Sequence, residues 1–173
     1  MFMAEEIINR VQRSGVQTID FEETYPSNTR SVVDIAPWLW EGLALKENDF
    51  RQAVEDHDWS QYQDHFVAIN CSADAIIPTW AYMLVASALS PFAALTSVGS
   101  TEVLEMLVFR NWVDRTIHPG DYENSRVVIK GCSKHPVPTD AYVYLTQKLQ
   151  PHAKNIMFGE PCSTVPIYKK KRY

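Results

Sequence analysis

The chain has 173 residues, of which 46% are hydrophobic, and a formal net charge of -5. This length suits a single domain that buries its own core, so folding alone needs neither a disulfide nor a metal. The acidic balance argues against a nucleic-acid partner, because phosphate contacts need a basic surface. The segment 160–173 ends in a basic run, residues 169–172, which is typical of a solvated tail; an anionic surface or partner is the alternative.

The three cysteines are predicted to be reduced. The first six residues carry two acids and no apolar run of signal-peptide length, which predicts a cytoplasmic location. An odd number of cysteines in a reducing compartment argues against a disulfide framework. We therefore expect Cys71, Cys132 and Cys162 to be free thiols or ligands.

The first third of the chain, residues 1–66, is interpreted as an α+β cover built onto the rest. Apolar spacing over residues 5–13 predicts a short amphipathic helix. Residues 17–21 and 31–35 have the composition of short strands, and a further helix is predicted to end near Asp56.

An internal repeat with an offset of sixty residues follows, with copies over residues 67–99 and 127–159. Eight of twenty-two aligned helix-to-strand positions are identical, where average residue usage gives about one or two by chance. Each copy has the pattern strand, turn, helix, strand, and parallel pairing is expected of strands that alternate with helices. The repeat therefore predicts an α/β fold: a small parallel-rich sheet flanked by helices, built on a duplicated unit.

One uncharged stretch, residues 75–101, approaches the length of a membrane span. The equivalent segment of the second copy carries Asp140, Lys148 and Lys154, which a bilayer would reject. We expect a buried helix in this stretch and no membrane partner.

The cysteines carry the main functional hypothesis. Cys71 and Cys132 follow predicted strands, Cys162 follows the last of them, and parallel sheets bind ligands beyond their strand ends. If the two copies are related by an approximate twofold axis, the three sulfurs converge. Three thiolates with a fourth ligand, His135 or Asp74, suit Zn²⁺ or an iron–sulfur cluster.

Other interpretations of these residues stay open. One cysteine could be a nucleophile or sulfur carrier oriented by Asp74 or His135, in an enzyme that acts on a small substrate. Alternatively, all three could be small buried residues that pack the turns, in an interaction module. Residues 56–65 contain a second mixture of imidazoles and carboxylates, which indicates either an acid/base or metal site or a solvated helix end.

The chain also resembles a known family, in the segments 45–51, 57–63, 71–86, 127–133 and 157–169. These segments are similar to those of a small uncharacterised bacterial family, domain of unknown function 2480, and the similarity runs from about residue 18 to Lys169. The resemblance implies no defined activity. It does imply thiolate, iron or sulfur handling, with iron–sulfur assembly proteins as partners. Our sequence-based hypothesis is a cytosolic accessory protein that uses its cysteines in this way.

Overall fold

The computed structural model describes residues 15–23, 25–131, 134–160 and 163–171. The helix predicted over residues 5–13 lies outside these ranges. The described chain contains four α-helices: α1 (Glu47–Asp56), α2 (Thr79–Leu89), α3 (Thr101–Thr116) and α4 (Thr139–Leu149). Its strands are β1 (Val16–Asp20), β2 (Arg30–Asp34), β3 (Phe66–Asn70), β4 (Leu95–Val98), β5 (Arg126–Lys130), β6 (Asn155–Glu160) and β7 (Ser163–Lys169).

The strands form two sheets in two compact units, a central unit (Pro26–Asn111) and a terminal unit (Met1–Tyr25 with Trp112–Tyr173). The central sheet has the order β2-β3-β4, and its strands are all parallel. The terminal sheet has the order β1-β5-β6-β7, in which β1, β5 and β6 are parallel and β7 is antiparallel to β6. The mixed, mostly parallel α/β class predicted from the sequence is confirmed.

The partition of the strands differs from the sequence-based expectation of one sheet under an N-terminal cover. Strand β1 pairs with β5, and strand β2 pairs with β3. The first third of the chain thus supplies one parallel strand to each sheet. Strand pairing depends on long-range hydrogen bonds, and the local pattern of a five-residue strand does not reveal its partner.

Backbone features of the two units recur at a spacing of sixty residues. Asp64 and Asn124 both have left-handed backbone angles, with φ of 60° and 54°. Gly99 and Gly159 both have φ near +120°, at 121° and 119°. The spacing found in the sequence is therefore also a spacing of backbone geometry. An origin of the two units by duplication stays a prediction.

The helices α2 and α4 each bury one stripe of side chains. Successive buried positions are four residues apart, which places them on one face of a helix. The strands β3 and β5 are apolar over three consecutive residues, as expected of parallel strands covered on both faces. The buried stripes are Ala81, Val85 and Leu89 in α2, and Ala141, Leu145 and Leu149 in α4.

The uncharged stretch, residues 75–101, folds into the whole of α2 and β4 and the first residue of α3. As the pattern of the first repeat copy predicts, this stretch contains a helix and then a strand, and the helix has a single buried face. Among the described helices, none combines the length and apolar character that crossing a membrane requires.

Candidate functional site

The carboxyl end of the central sheet carries the one cysteine within the described residues. Cys71 directly follows β3 and is half-buried. Its side chain packs against the apolar cluster of the central unit, and its Sγ donates a hydrogen bond to the Ala73 carbonyl oxygen at 3.7 Å. This thiol is therefore both a packing group and a group that solvent can reach.

Asp34 ends β2, which is the strand next to β3, and its carboxylate organises the same edge. Oδ2 accepts a hydrogen bond from the Ser72 hydroxyl at 2.5 Å. Oδ1 accepts bonds from the backbone N–H groups of Ala36 and Ser72, both at 3.0 Å. Burial raises the pKa of Asp34, but the hydrogen bonds from Ser72 and Ala36 outweigh it and leave this pKa below its usual value.

The Asp34 carboxylate predicts a specific dependence of stability on pH. Because its pKa is lowered by folding, its stabilising effect is present above the unfolded-state value and is lost as the pH falls through the folded-state value. We expect Asp34→Asn to lower the free energy of unfolding by about 1 kcal/mol at pH 7. The difference from the wild type should shrink between about pH 5 and pH 2.

Urea unfolding at pH 7 and pH 3 measures this difference. Asp74→Asn is the matched control, since it removes an exposed carboxylate of the same unit. A deficit of Asp34→Asn that is equally large at both pH values would contradict the prediction.

In the terminal sheet, the parallel strands end in charged residues. Lys130 and Asp20 are paired in register as the last residues of β5 and β1, and Lys130 Nζ lies 2.8 Å from Asp20 Oδ2. Glu160 at the end of β6 lies 3.7 Å from the same ammonium group. The hydrogen bond to Asp20, followed by the charges of Asp20, Glu160 and Glu22, raises the pKa of Lys130. Lys134 and Glu22 form a further ion pair at 3.2 Å.

The five predicted ligands are placed as follows. Cys132 and Cys162 lie outside the described residues, so convergence of the three sulfurs stays a prediction. Asp74 is exposed in the central unit. His135 is exposed in the terminal unit, and its ring stacks on that of Tyr25 with centroids 4.1 Å apart. Within the described ranges, no group of three or more histidine, cysteine or acidic side chains could hold a metal ion.

The histidines and carboxylates of residues 56–65 each have a local partner. Asp58 Oδ1 accepts hydrogen bonds from the backbone N–H and the hydroxyl of Ser60, at the start of a short 3-10 helix. These bonds lower the pKa of Asp58. His57 packs against Trp59 with ring centroids 4.5 Å apart, and His65 Nδ1 lies 2.9 Å from Ser31 Oγ. These contacts favour capping and packing over a shared catalytic site.

A basic crevice of about 950 Å³ lies at the other end of the terminal sheet, where the parallel strands β1, β5 and β6 begin. The sequence signal for it is the basic run at the chain end, which is typical of a solvated tail or of a contact with an anionic surface or partner. In the structure, Lys169 belongs to β7, and the Lys170 N–H donates to the Lys154 carbonyl oxygen at 2.9 Å. The lining residues are Val16, Asn124, Arg126, Lys154, Asn155, Met157, Lys169, Lys170 and Lys171.

Fold and candidate sites define a mixed α/β protein with two small, mostly parallel sheets and polar groups at their strand ends. The family model described as "Protein of unknown function (DUF2480)" matches residues 5–170, and the chain belongs to this family. The resemblance found in the sequence is thereby confirmed, while a bacterial origin stays a prediction. No curated protein and no solved structure matches the chain.

Proposed function

We propose that the chain is an accessory protein that binds a metal ion or an iron–sulfur cluster, or accepts sulfur, through its cysteines. The supporting observation is the arrangement of two strands in the terminal sheet. Strands β5 and β6 are parallel neighbours, and each ends two residues before a cysteine, Cys132 and Cys162 respectively. Neighbouring strands lie about 4.8 Å apart. We therefore expect the two thiols to lie close enough together to bind one ion.

The charges at this edge favour a cation. Among the described residues, the carboxylates of Asp20, Glu22 and Glu160 form ion pairs with the ammonium groups of Lys130 and Lys134. Carboxylates close to a thiol disfavour its thiolate form, because like charges repel. A bound metal cation reverses this effect, because its own charge stabilises the thiolate. The carboxylates therefore support metal binding over the alternative of a thiol-dependent enzyme.

The ligands predicted from the sequence include candidates for the remaining positions around the ion. His135 belongs to the same unit and follows Cys132 by three residues, so it is our first choice for a third ligand. Cys71 and Asp74 belong to the central unit and complete the set only if the sulfurs converge. Iron–sulfur assembly proteins are the proposed partners.

The experiment is metal analysis of untagged protein purified without oxygen. We expect about one equivalent of zinc, or iron with acid-labile sulfide, in the wild type. The double variant Cys132→Ser/Cys162→Ser should lose the bound zinc or iron, since it removes both cysteines that follow β5 and β6 in the sequence. The single variant Cys71→Ser then separates the models: retention means a site within the terminal unit, and loss means a site of three converging thiols.

Absence of zinc and iron from the wild type, together with failure to take up added Zn²⁺ in equilibrium dialysis, would contradict the metal proposal. Alkylation of the three thiols with and without Zn²⁺ provides an independent measurement, because a coordinated thiolate reacts more slowly than a free one.

A second candidate is an interaction module in which the cysteines only pack. The packing of Cys71 against the apolar cluster of the central unit favours it for that residue. Under this alternative, substitution of all three cysteines by serine leaves metal content at zero throughout and changes only stability.

A further inference from the structure

The basic crevice is built on a row of paired positions across the terminal sheet. Val16, Arg126 and Asn155 are the first residues of β1, β5 and β6, and Lys169 is the last residue of β7. In the register of the sheet, each of these residues is the direct partner of the next. The crevice therefore lies at the edge opposite to the ends of β5 and β6 that precede Cys132 and Cys162.

The crevice is lined mainly by positive charges. Among the described residues, five cationic ones line it and no acidic one does. None of the five forms an ion pair with any residue in the described parts of the chain. This concentration stands out in a chain whose net charge is -5. Like charges held together in a concave surface attract anions from solution. The five are Arg126, Lys154, Lys169, Lys170 and Lys171.

The backbone that carries these side chains is ordered. Arg126 and Lys169 belong to strands, and the Lys154 N–H donates to the Ser125 carbonyl oxygen at 2.8 Å. The Lys170 N–H in turn donates to the Lys154 carbonyl oxygen, which extends the pairing beyond the end of β7. Cations on an ordered backbone lose less entropy when they bind a ligand than cations on a free tail do.

A polar atom without a partner lies among the same residues. Asn155 Oδ1 is buried and has no hydrogen-bond donor among the described residues. Buried acceptors are nearly always satisfied, by protein or by water, and a phosphate oxygen is itself an acceptor, so we expect this atom to bind a water molecule. Asn155 occupies the centre of the row, between Arg126 and Lys169.

We propose that this crevice binds a small molecule that carries two or more phosphate groups. Its volume is that of a small-molecule site. Five cations exceed the charge of one monophosphate, whereas a diphosphate or triphosphate group matches them. The acidic remainder of the chain disfavours an extended polyanion such as a nucleic acid or a membrane surface. This site is independent of the cysteine proposal, because it uses none of the same residues.

Calorimetric titration of the full chain with inorganic tripolyphosphate tests the proposal. We expect saturable binding that weakens as the salt concentration rises, because the contacts are electrostatic. The variant Arg126→Gln/Lys169→Gln should lose about tenfold or more in affinity. Arg115→Gln is a matched control: it removes an exposed cation of the terminal unit outside the crevice, and its affinity should equal that of the wild type.

Three results would overturn the proposal. The first is no binding of tripolyphosphate at low salt. The second is an equal loss of affinity in Arg115→Gln, which would indicate a general charge effect. The third is tighter binding of a single-stranded oligonucleotide or of anionic phospholipid vesicles, lost in the Arg126→Gln/Lys169→Gln variant. Circular dichroism of both variants checks the fold, and inorganic monophosphate should bind more weakly than tripolyphosphate.

Discussion

Replacement of Leu149 by alanine is expected to lower the free energy of unfolding by about 2–5 kcal/mol, the usual cost of such a cavity in a core. Leu149 is the last residue of α4, its side chain is fully buried, and its carbonyl oxygen accepts the N–H groups of His152 and Ala153. The leucine therefore joins the helix to the turn that leads into β6. The measurement is urea unfolding followed by circular dichroism.

Leu89→Ala provides the matched comparison, because Leu89 occupies the same place at the end of α2 and is also fully buried. We expect a loss of the same size there. Val143→Ala on the exposed side of α4 should change stability by less than about 0.5 kcal/mol. A loss below about 1 kcal/mol in both leucine variants would show that these helix ends are not part of a close-packed core.

Gly159→Ala is expected to be the more damaging of two matched glycine substitutions. Gly159 has a φ of 119°, a region that side chains rarely adopt. A Cβ atom there would lie 2.8 Å from the Ser163 backbone oxygen, across the antiparallel pair β6 and β7. Backbone strain and this steric clash together should cost about 2–5 kcal/mol.

Gly99→Ala separates the two causes. Gly99 has nearly the same φ, 121°, but its added Cβ would meet only the Val103 side chain at an ordinary 3.5 Å. The cost should therefore be that of the strain alone, about 1–3 kcal/mol. Unfolding in urea compares the two variants, and a Gly99→Ala variant less stable than Gly159→Ala would contradict this explanation.

The terminal sheet thus presents different chemistry at its two edges. The strands β5 and β6 end at Lys130 and Glu160, two residues before cysteines in the sequence, and we propose a metal site there. The opposite edge carries five cations, which favour an anion. The two proposals fail separately, since metal analysis and tripolyphosphate titration involve different residues.

Sequence reasoning found the elements of the repeat because their signals are local. Proline and threonine at the start of α2 and α4, and an apolar run in β3 and β5, are readable from the residues themselves. The sequence-based prediction did not include β7. This strand has only one described partner strand, and its side chains Val165 and Ile167 stay exposed. An edge strand of this kind buries too little surface to produce a clear pattern.

The candidate sites also differ in how far the sequence reveals them. The cysteines and the basic run were visible as residue types, and the positions of strands β3, β5 and β6 just before Cys71, Cys132 and Cys162 agree with the pattern. The crevice was not visible, because Arg126 and Lys169 are forty-three positions apart in the chain and meet only through the register of β5, β6 and β7.

By itself, the sequence determined the α/β class, the sixty-residue spacing and the family to which the chain belongs. Only the tertiary structure decided that β1 and β2 belong to different sheets and that Lys169, Lys170 and Lys171 line a crevice. The physical reason is that helix and strand patterns arise from neighbouring residues, whereas strand partners and shared cavities arise from hydrogen bonds between distant ones.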